Sequence, residues 1–201
     1  MNPRRIMPVL ALLVLAGCGS SPQTQYFMLA VAPQTGVDYQ TISFPITVAS
    51  VNLPPSLDRR SMVRRTGANT VAISGQDRWA APLDDMIRQV LSQDLAMHLP
   101  KGQVLLPDAP LPPQAAHIVV SIAQFGSDAG GKVVLSGSWS LLKGDQEKPV
   151  LSRNVAFETG ALTAGARGEA AAMSQLLGQL ASHIAETLAT TPAIRQAGDA
   201  S

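Results

Sequence analysis

The sequence has few of the residues on which crosslinks, zinc sites and nucleic-acid binding depend. Among 201 residues there is one cysteine, which excludes an intramolecular disulfide and a cysteine-rich zinc site. Charged residues make up 14% and the formal net charge is +1, so the chain lacks the strongly basic character of a nucleic-acid binder. Hydrophobic residues make up 46%, which excludes a disordered chain and favours a folded domain.

The motifs of common enzymes are also missing from the sequence. It contains no Gly-x-Ser-x-Gly elbow and no phosphate-binding P-loop. The histidines His98, His117 and His183 lack the spacing of metal ligands. Asp84 and Asp85 are adjacent, and adjacent side chains on a helix do not face each other. The sequence therefore favours a non-enzymatic protein with no catalytic residue, no metal site and no cofactor.

The N-terminus has the pattern of a bacterial lipoprotein signal. Arg4 and Arg5 precede an apolar run at 6–16, far shorter than the about 20 residues that span a bilayer. The run ends in Leu-Ala-Gly-Cys, which resembles the lipobox, where the cysteine is diacylated and the signal is cut before it. Cys18 is therefore the predicted lipidation site, with a diacylglycerol on its thiol and an acyl chain on its new amino group.

Acylation would fix the mature protein to a membrane, because two or more chains anchor stably whereas one binds only marginally. Removal of Arg4 and Arg5 leaves 13 basic against 14 acidic residues, a formal charge of −1. Such a body would not bind anionic headgroups by its net charge, so the acyl chains must hold it there. Gly19, rather than Asp, follows the cysteine, which favours the outer membrane and its periplasmic side.

The chain divides into four segments. Residues 1–17 are the predicted signal peptide, 18–25 a lipidated polar tether, 26–192 a single domain and 193–201 a flexible tail. No internal repeat or second domain boundary is evident.

The domain is predicted to be of mixed α/β class. Short strands are expected at 26–31, 46–51 and 103–106, and a hairpin at 62–73. Three longer strands after residue 117 predict an antiparallel meander. Together these strands would form one sheet of about five or six strands packed with helices.

Two amphipathic helices are expected to pack on this sheet. The first has an apolar stripe at three- and four-residue steps over 83–99, and Pro82 suits its first turn. Asp84 and Arg88 on this helix are spaced to form an ion pair. The second helix is predicted over 169–190.

Two clusters are candidate binding sites. Residues 59–65 contain four arginines, which form either a solvated hairpin face or a docking edge for an acidic partner or lipid headgroups. The second cluster, Arg78 and Trp79, precedes the first helix, and the indole either packs against the helix start or serves as a ligand platform. The candidate partner-binding residues are Arg59, Arg60, Arg64, Arg65, Arg78 and Trp79.

These segments together resemble the ABC-type transport auxiliary lipoproteins. The resemblance is carried by the lipobox, by Tyr-Phe-Met-Leu at 26–29, by 46–54, by 57–63 and by Arg-Trp-Ala-Ala-Pro-Leu at 78–83. The last stretch is the most specific, although Ala81 stands where many relatives carry Glu. The resemblance implies a three-layer α/β/α sandwich with a mixed, largely antiparallel sheet, similar to the N-terminal domain of TolB.

The same resemblance implies a non-enzymatic part of a lipid-transport machine. The expected partners are a protein with an MCE (mammalian cell entry) domain and the permease and ATPase of an ABC transporter. The expected task is to hold the outer-membrane end of a conduit between the two membranes, and so to support outer-membrane integrity. Homo-oligomerisation into a ring would suit a conduit. The alternative is a stand-alone lipid-binding shuttle with its own apolar cavity, and an envelope hydrolase is a third class.

Overall fold

The computed structural model describes residues 22–33, 39, 42, 44–144, 146, 148–160, 163 and 165–191. The predicted signal peptide, the lipidation site Cys18 and the predicted tail at 193–201 lie outside the described residues. The strands are β1 (Gln25–Phe27), β2 (Ile46–Asn52), β3 (Ser61–Arg65), β4 (Val71–Trp79), β5 (Val104–Leu105), β6 (Ala116–Ser127), β7 (Lys132–Lys143) and β8 (Leu151–Gly160). The helices are α1 (Leu83–His98) and α2 (Ala166–Thr190).

The described strands form two sheets, where the sequence predicted one. The large sheet has the order β5-β2-β6-β7-β8 and the small sheet the order β1-β4-β3. The predicted meander is present, since β6, β7 and β8 are antiparallel neighbours. In contrast, β2 runs parallel to both β5 and β6, and β1 runs parallel to β4. Alternation of apolar residues indicates which face of a strand is buried but not its neighbour, so it could not reveal the second sheet.

The mixed α/β class is confirmed, with a mixed sheet whose longest pairings are antiparallel. Helices α1 and α2 pack against each other and against the large sheet. Alternate residues of β6 and β7 are buried toward the helices, whereas the residues between them are mostly small or polar and partly exposed. The largest buried side chains of these strands are Ile118, Phe125, Leu135, Trp139 and Leu141.

The two predicted helices are present with small shifts at their ends. Helix α1 stops at His98, one residue before the predicted end, and α2 starts three residues before Glu169. The predicted ion pair of Arg88 with Asp84 is not the one that forms. Arg88 instead lies 3.1 Å from Asp108 and 3.5 Å from Asp85, because the segment after β5 brings a second carboxylate beside the helix.

Candidate docking surface of the small sheet

The small sheet has one buried and one exposed face. Met62 on β3 and Trp79 on β4 are buried, so the residues next to them in each strand point away from the core. The strand register places Tyr26 beside Arg78. Beyond a bulge at 74–77 of β4, which shifts the pairing and reverses the alternation, it places Val63 beside Ile73 and Arg65 beside Val71. Directly paired residues share a face of a sheet. We call this set the outer face: Tyr26, Val63, Arg65, Val71, Ile73 and Arg78.

The outer face carries large apolar side chains that are open to solvent. Tyr26 is 62% exposed, Val71 52% and Ile73 51%, and Met28, directly after β1, is 67% exposed. Only three other large apolar side chains among the described residues are comparably exposed, and all three lie outside the small sheet. Single exposed apolar residues are ordinary, but a concentration of them marks an interaction surface.

Arginine side chains accompany this apolar surface. Arg65 and Arg78 lie on the outer face, and Arg59 and Arg60 are exposed in the loop that leads into β3. The Arg65 guanidinium donates one hydrogen bond, of 2.8 Å, to the Ala68 carbonyl in the hairpin turn. Four of the five arginines predicted as binding residues therefore present their charge at the surface.

Arg64, the fifth, forms contacts within the domain. Its Nε donates to Glu169 Oε2 at 2.5 Å, and its Nη2 lies 3.7 Å from Asp77 Oδ2. Glu169 is buried in the first turn of α2, where the positive end of the helix dipole favours a carboxylate. Its other oxygen accepts a 3.0 Å hydrogen bond from the Ser127 backbone N–H. Arg64 thus links the small sheet to α2 and to the end of β6.

The Trp79 side chain belongs to the core. It is 3% exposed, and with Leu83, the first residue of α1, it lines the same small depression beside Met173. Its backbone N–H donates to the Arg60 carbonyl at 2.7 Å, which fixes the end of β4. Of the two interpretations of the indole, the structure agrees with packing at the helix start.

After β1, the chain runs along both helices. We call residues 28–33 the N-terminal strap. The Ala30 N–H donates to Ser174 Oγ on α2 at 3.1 Å, and the Ala32 N–H donates to Asp94 Oδ1 on α1 at 3.0 Å. The strap lies so close to α2 that a Cβ at Gly178 would come within 2.5 Å of the Ala32 methyl group. These contacts hold the strap on both helices.

Asp94, which accepts the hydrogen bond from the strap, was not among the site residues predicted from the sequence. It lies four residues after Val90 and one before Leu95, and so stands on the apolar stripe of α1. Burial raises the pKa of its carboxyl to about 6, and the hydrogen bond from Ala32 opposes that shift. A carboxylate within an apolar stripe was the available signal, but its partner is 62 residues away in sequence.

An open groove of about 340 Å³ lies beside the strap between the two helices. Its lining mixes polar side chains, among them Asp94, His98 and Ser182, with the apolar Pro33 and Met97. His98 Nε2 and Ser182 Oγ are hydrogen-bonded across it at 3.0 Å.

In the part of the chain that the structure describes, no helix has the length and apolar character needed to cross a bilayer.

The sequence of the domain assigns the chain to a family of accessory transport components. Residues 26–185 match the family described as the ABC-type transport auxiliary lipoprotein component, and the chain belongs to this family. The match begins within β1 and ends near the C-terminus of α2, so it covers both sheets and both helices.

Named relatives agree with this assignment, and two solved structures share the fold. The chain is 30% identical over 141 residues to the intermembrane transport lipoprotein PqiC of Escherichia coli, covering 69% of this chain and 74% of the relative. The PqiC protein of Shigella flexneri matches equally well. A crystal structure of a Xanthomonas campestris protein superposes with a TM-score of 0.66 at 16% identity, covering 88% of this chain and 99% of the other. A second crystal structure gives 0.62 at 21% identity, with 84% and 97% covered. These two show a shared fold.

Proposed function

We propose that this protein is a non-enzymatic, membrane-anchored lipoprotein that serves a phospholipid transport system between the inner and outer membranes. The observation that carries the proposal is the family match over 26–185, which follows a lipobox cysteine at position 18. The relatives called intermembrane transport lipoproteins support transport between membranes as the task.

The proposed location is the outer membrane, with the domain facing the periplasm. Acyl chains on Cys18 would provide the anchor, and Gly19 in the next position favours the outer rather than the inner membrane. The protein would hold the outer-membrane end of the transport path and so support the permeability barrier.

The proposed partners are an MCE-domain protein and the permease and ATPase of an ABC transporter. The family description names an auxiliary component, and the sequence contains no P-loop, so ATP hydrolysis is assigned to another chain. Assembly of several copies into a ring would suit attachment to a conduit.

The packing of the domain favours this role over that of a lipid-binding shuttle. The interface between the helices and the large sheet is filled by fully buried side chains, among them Leu176, Leu180 and Ile118. The groove between the helices, of about 340 Å³, is open to solvent and lined by polar as well as apolar residues. Acyl chains would require an apolar cavity, and forming one here would mean separating α2 from the sheet.

Affinity purification tests the proposal directly. The tagged, acylated protein is extracted from its own membranes in mild detergent, and co-eluting proteins and lipids are identified by mass spectrometry. We expect an MCE-domain protein with its permease or ATPase, together with loss of outer-membrane barrier function when the gene is deleted. Cys18→Ala is the matched control, because it keeps the domain and removes the acylation site.

Two results would contradict the proposal. Recovery of the protein alone with one phospholipid per chain would support the shuttle. An intact barrier and unchanged lipid composition after deletion would remove the transport role.

A further inference from the structure

We propose that the outer face of the small sheet lies against the membrane surface and binds its anionic phospholipid headgroups. This inference rests on the proposed function, because it takes Cys18 to be the anchor. It adds which part of the domain faces the bilayer and which residues make the contact.

The short connection to the anchor brings this sheet, rather than the far end of the domain, to the membrane. Gln25, the first residue of β1, is seven residue steps from Cys18, with six residues between them. An extended chain spans at most about 3.6 Å per residue, so β1 begins within about 25 Å of the acylated cysteine. Tyr26 follows immediately and points to the exposed face.

The charges of the sheet complement an anionic surface although the mature chain is weakly acidic. Between residues 53 and 79 the charged side chains are five arginines and two aspartates. Arg64 and Asp77 face each other at 3.7 Å, which leaves Asp58 as the only other acid among Arg59, Arg60, Arg65 and Arg78. Each basic residue near an anionic membrane strengthens binding about fivefold. The net charge of the chain therefore conceals a basic patch near the anchor.

The apolar side chains between the arginines suit the interfacial zone of a bilayer. Tyr26 carries a hydroxyl on an apolar ring, a combination that favours the headgroup level. Met28, Val71 and Ile73 each expose at least half of their surface. Contact with lipid would remove this apolar area from water, while the arginines would reach the phosphates.

The absence of other cysteines makes a clean site-specific measurement possible. Cys18 is the sole cysteine and is occupied once acylated, so an introduced cysteine gives a unique site for a nitroxide label. Ile73→Cys places the label on the outer face, and Ala156→Cys places a matched label on an exposed position of β8 in the large sheet. The acylated, full-length protein is reconstituted into vesicles of phosphatidylethanolamine and phosphatidylglycerol.

Collision of each label with an aqueous nickel chelate and with lipid-soluble oxygen reports its surroundings. On transfer from detergent to vesicles, we expect residue 73 to lose nickel collisions severalfold and gain oxygen collisions, while residue 156 is unchanged. Adding Arg65→Gln and Arg78→Gln should weaken the contact of the outer face with the membrane. The equilibrium between the membrane-facing and water-facing orientations of residue 73 should shift toward water by about fivefold for each arginine removed. That shift should shrink in vesicles of phosphatidylcholine alone.

Equal nickel accessibility at 73 and 156 in vesicles would overturn the inference while leaving the anchored role intact. Protection of residue 73 that appears only when the co-purified transporter proteins are added would also overturn it, and would identify the outer face as a protein interface. The intact mass of the purified protein shows independently whether Cys18 carries acyl chains. A mass without acyl chains would refute the anchored role, and this inference with it.

Discussion

Arg64 Nε lies 2.5 Å from Glu169 Oε2, joining an edge strand of the small sheet to the first turn of α2. The two residues are 105 positions apart in the sequence. The same carboxylate accepts the Ser127 N–H at 3.0 Å, so three separate elements meet at one buried acid.

Replacing Arg64 with Met should destabilise the protein by about 3 kcal/mol, because it leaves the buried Glu169 charge without its cation. The double variant with Glu169→Gln should recover much of that loss, since the amide oxygen still accepts from Ser127 and no charge remains unpaired. Urea unfolding of the wild type, both single variants and the double variant measures the coupling. Strictly additive losses would contradict this account of the pair.

The Asp94 carboxyl predicts a pH dependence of stability. Burial raises the pKa of this carboxyl from its usual 3.8 to about 6. The folded state therefore binds more protons than the unfolded state between these values, and stability should fall as the pH rises through this window. The loss from this group is at most about 3 kcal/mol and is complete above pH 6–7.

Asp94→Asn is the matched test of that dependence. The amide oxygen can still accept from the Ala32 N–H but carries no charge. We expect the variant to be more stable than the wild type at pH 7.5 and equally stable at pH 4. Chemical unfolding across this range measures the difference, and parallel curves for the two proteins would show that Asp94 does not titrate as expected.

The close approach of the strap to α2 predicts an unusual effect of Gly178→Ala. In an exposed helix this change is stabilising by about 1 kcal/mol, but here the new methyl group would meet the Ala32 side chain. We expect the Ala30 and Ala32 amides to exchange hydrogen at least about fivefold faster, as expected for a loss of about 1 kcal/mol of local stability. Adding Ala32→Gly removes the collision and should restore protection, with Ala32→Gly alone as the control.

The same Gly→Ala substitution should have different effects on stability at two positions of the large sheet. A Cβ at Gly137 on β7 would collide with the Ser121 carbonyl of β6, whereas one at Gly160 on β8 would meet nothing within 4 Å. Gly137→Ala should therefore cost about 1–3 kcal/mol. Gly160→Ala should be neutral or stabilising by up to about 1 kcal/mol. Thermal unfolding of both variants decides this, and equal destabilisation would argue against the close approach at Gly137.

The parts of the fold that were predicted from the sequence are those set by local periodicity. The stripe over 83–99 gave α1 to within one residue, and the alternation after residue 117 gave the meander. The two-sheet arrangement depends on parallel pairings between distant strands. These pairings do not change the alternation of apolar and polar residues within either strand.

The candidate site, like the fold, was predicted from the sequence only in part. The arginine-rich cluster was evident from composition, but whether each side chain faces solvent is set by strand register. Arg64 and Arg65 are adjacent in sequence, yet one contacts Glu169 and the other lies on the outer face. The apolar part of that face, Tyr26 with Val71 and Ile73, could be recognised only from the pairing of β4 with both β1 and β3.

The path of the strap has a mechanical consequence for a protein held by its N-terminal end. Tension arriving from residue 18 would load the three residue pairs of β1 with β4 first, and then the bonds of Ala30 and Ala32 to the helices. Release of β1 and the strap would free residues 25–33 and lengthen the connection by up to about 30 Å, at about 3.3 Å per residue. Strand β1 and the strap therefore hold nine residues of chain that can extend between the anchor and the rest of the domain.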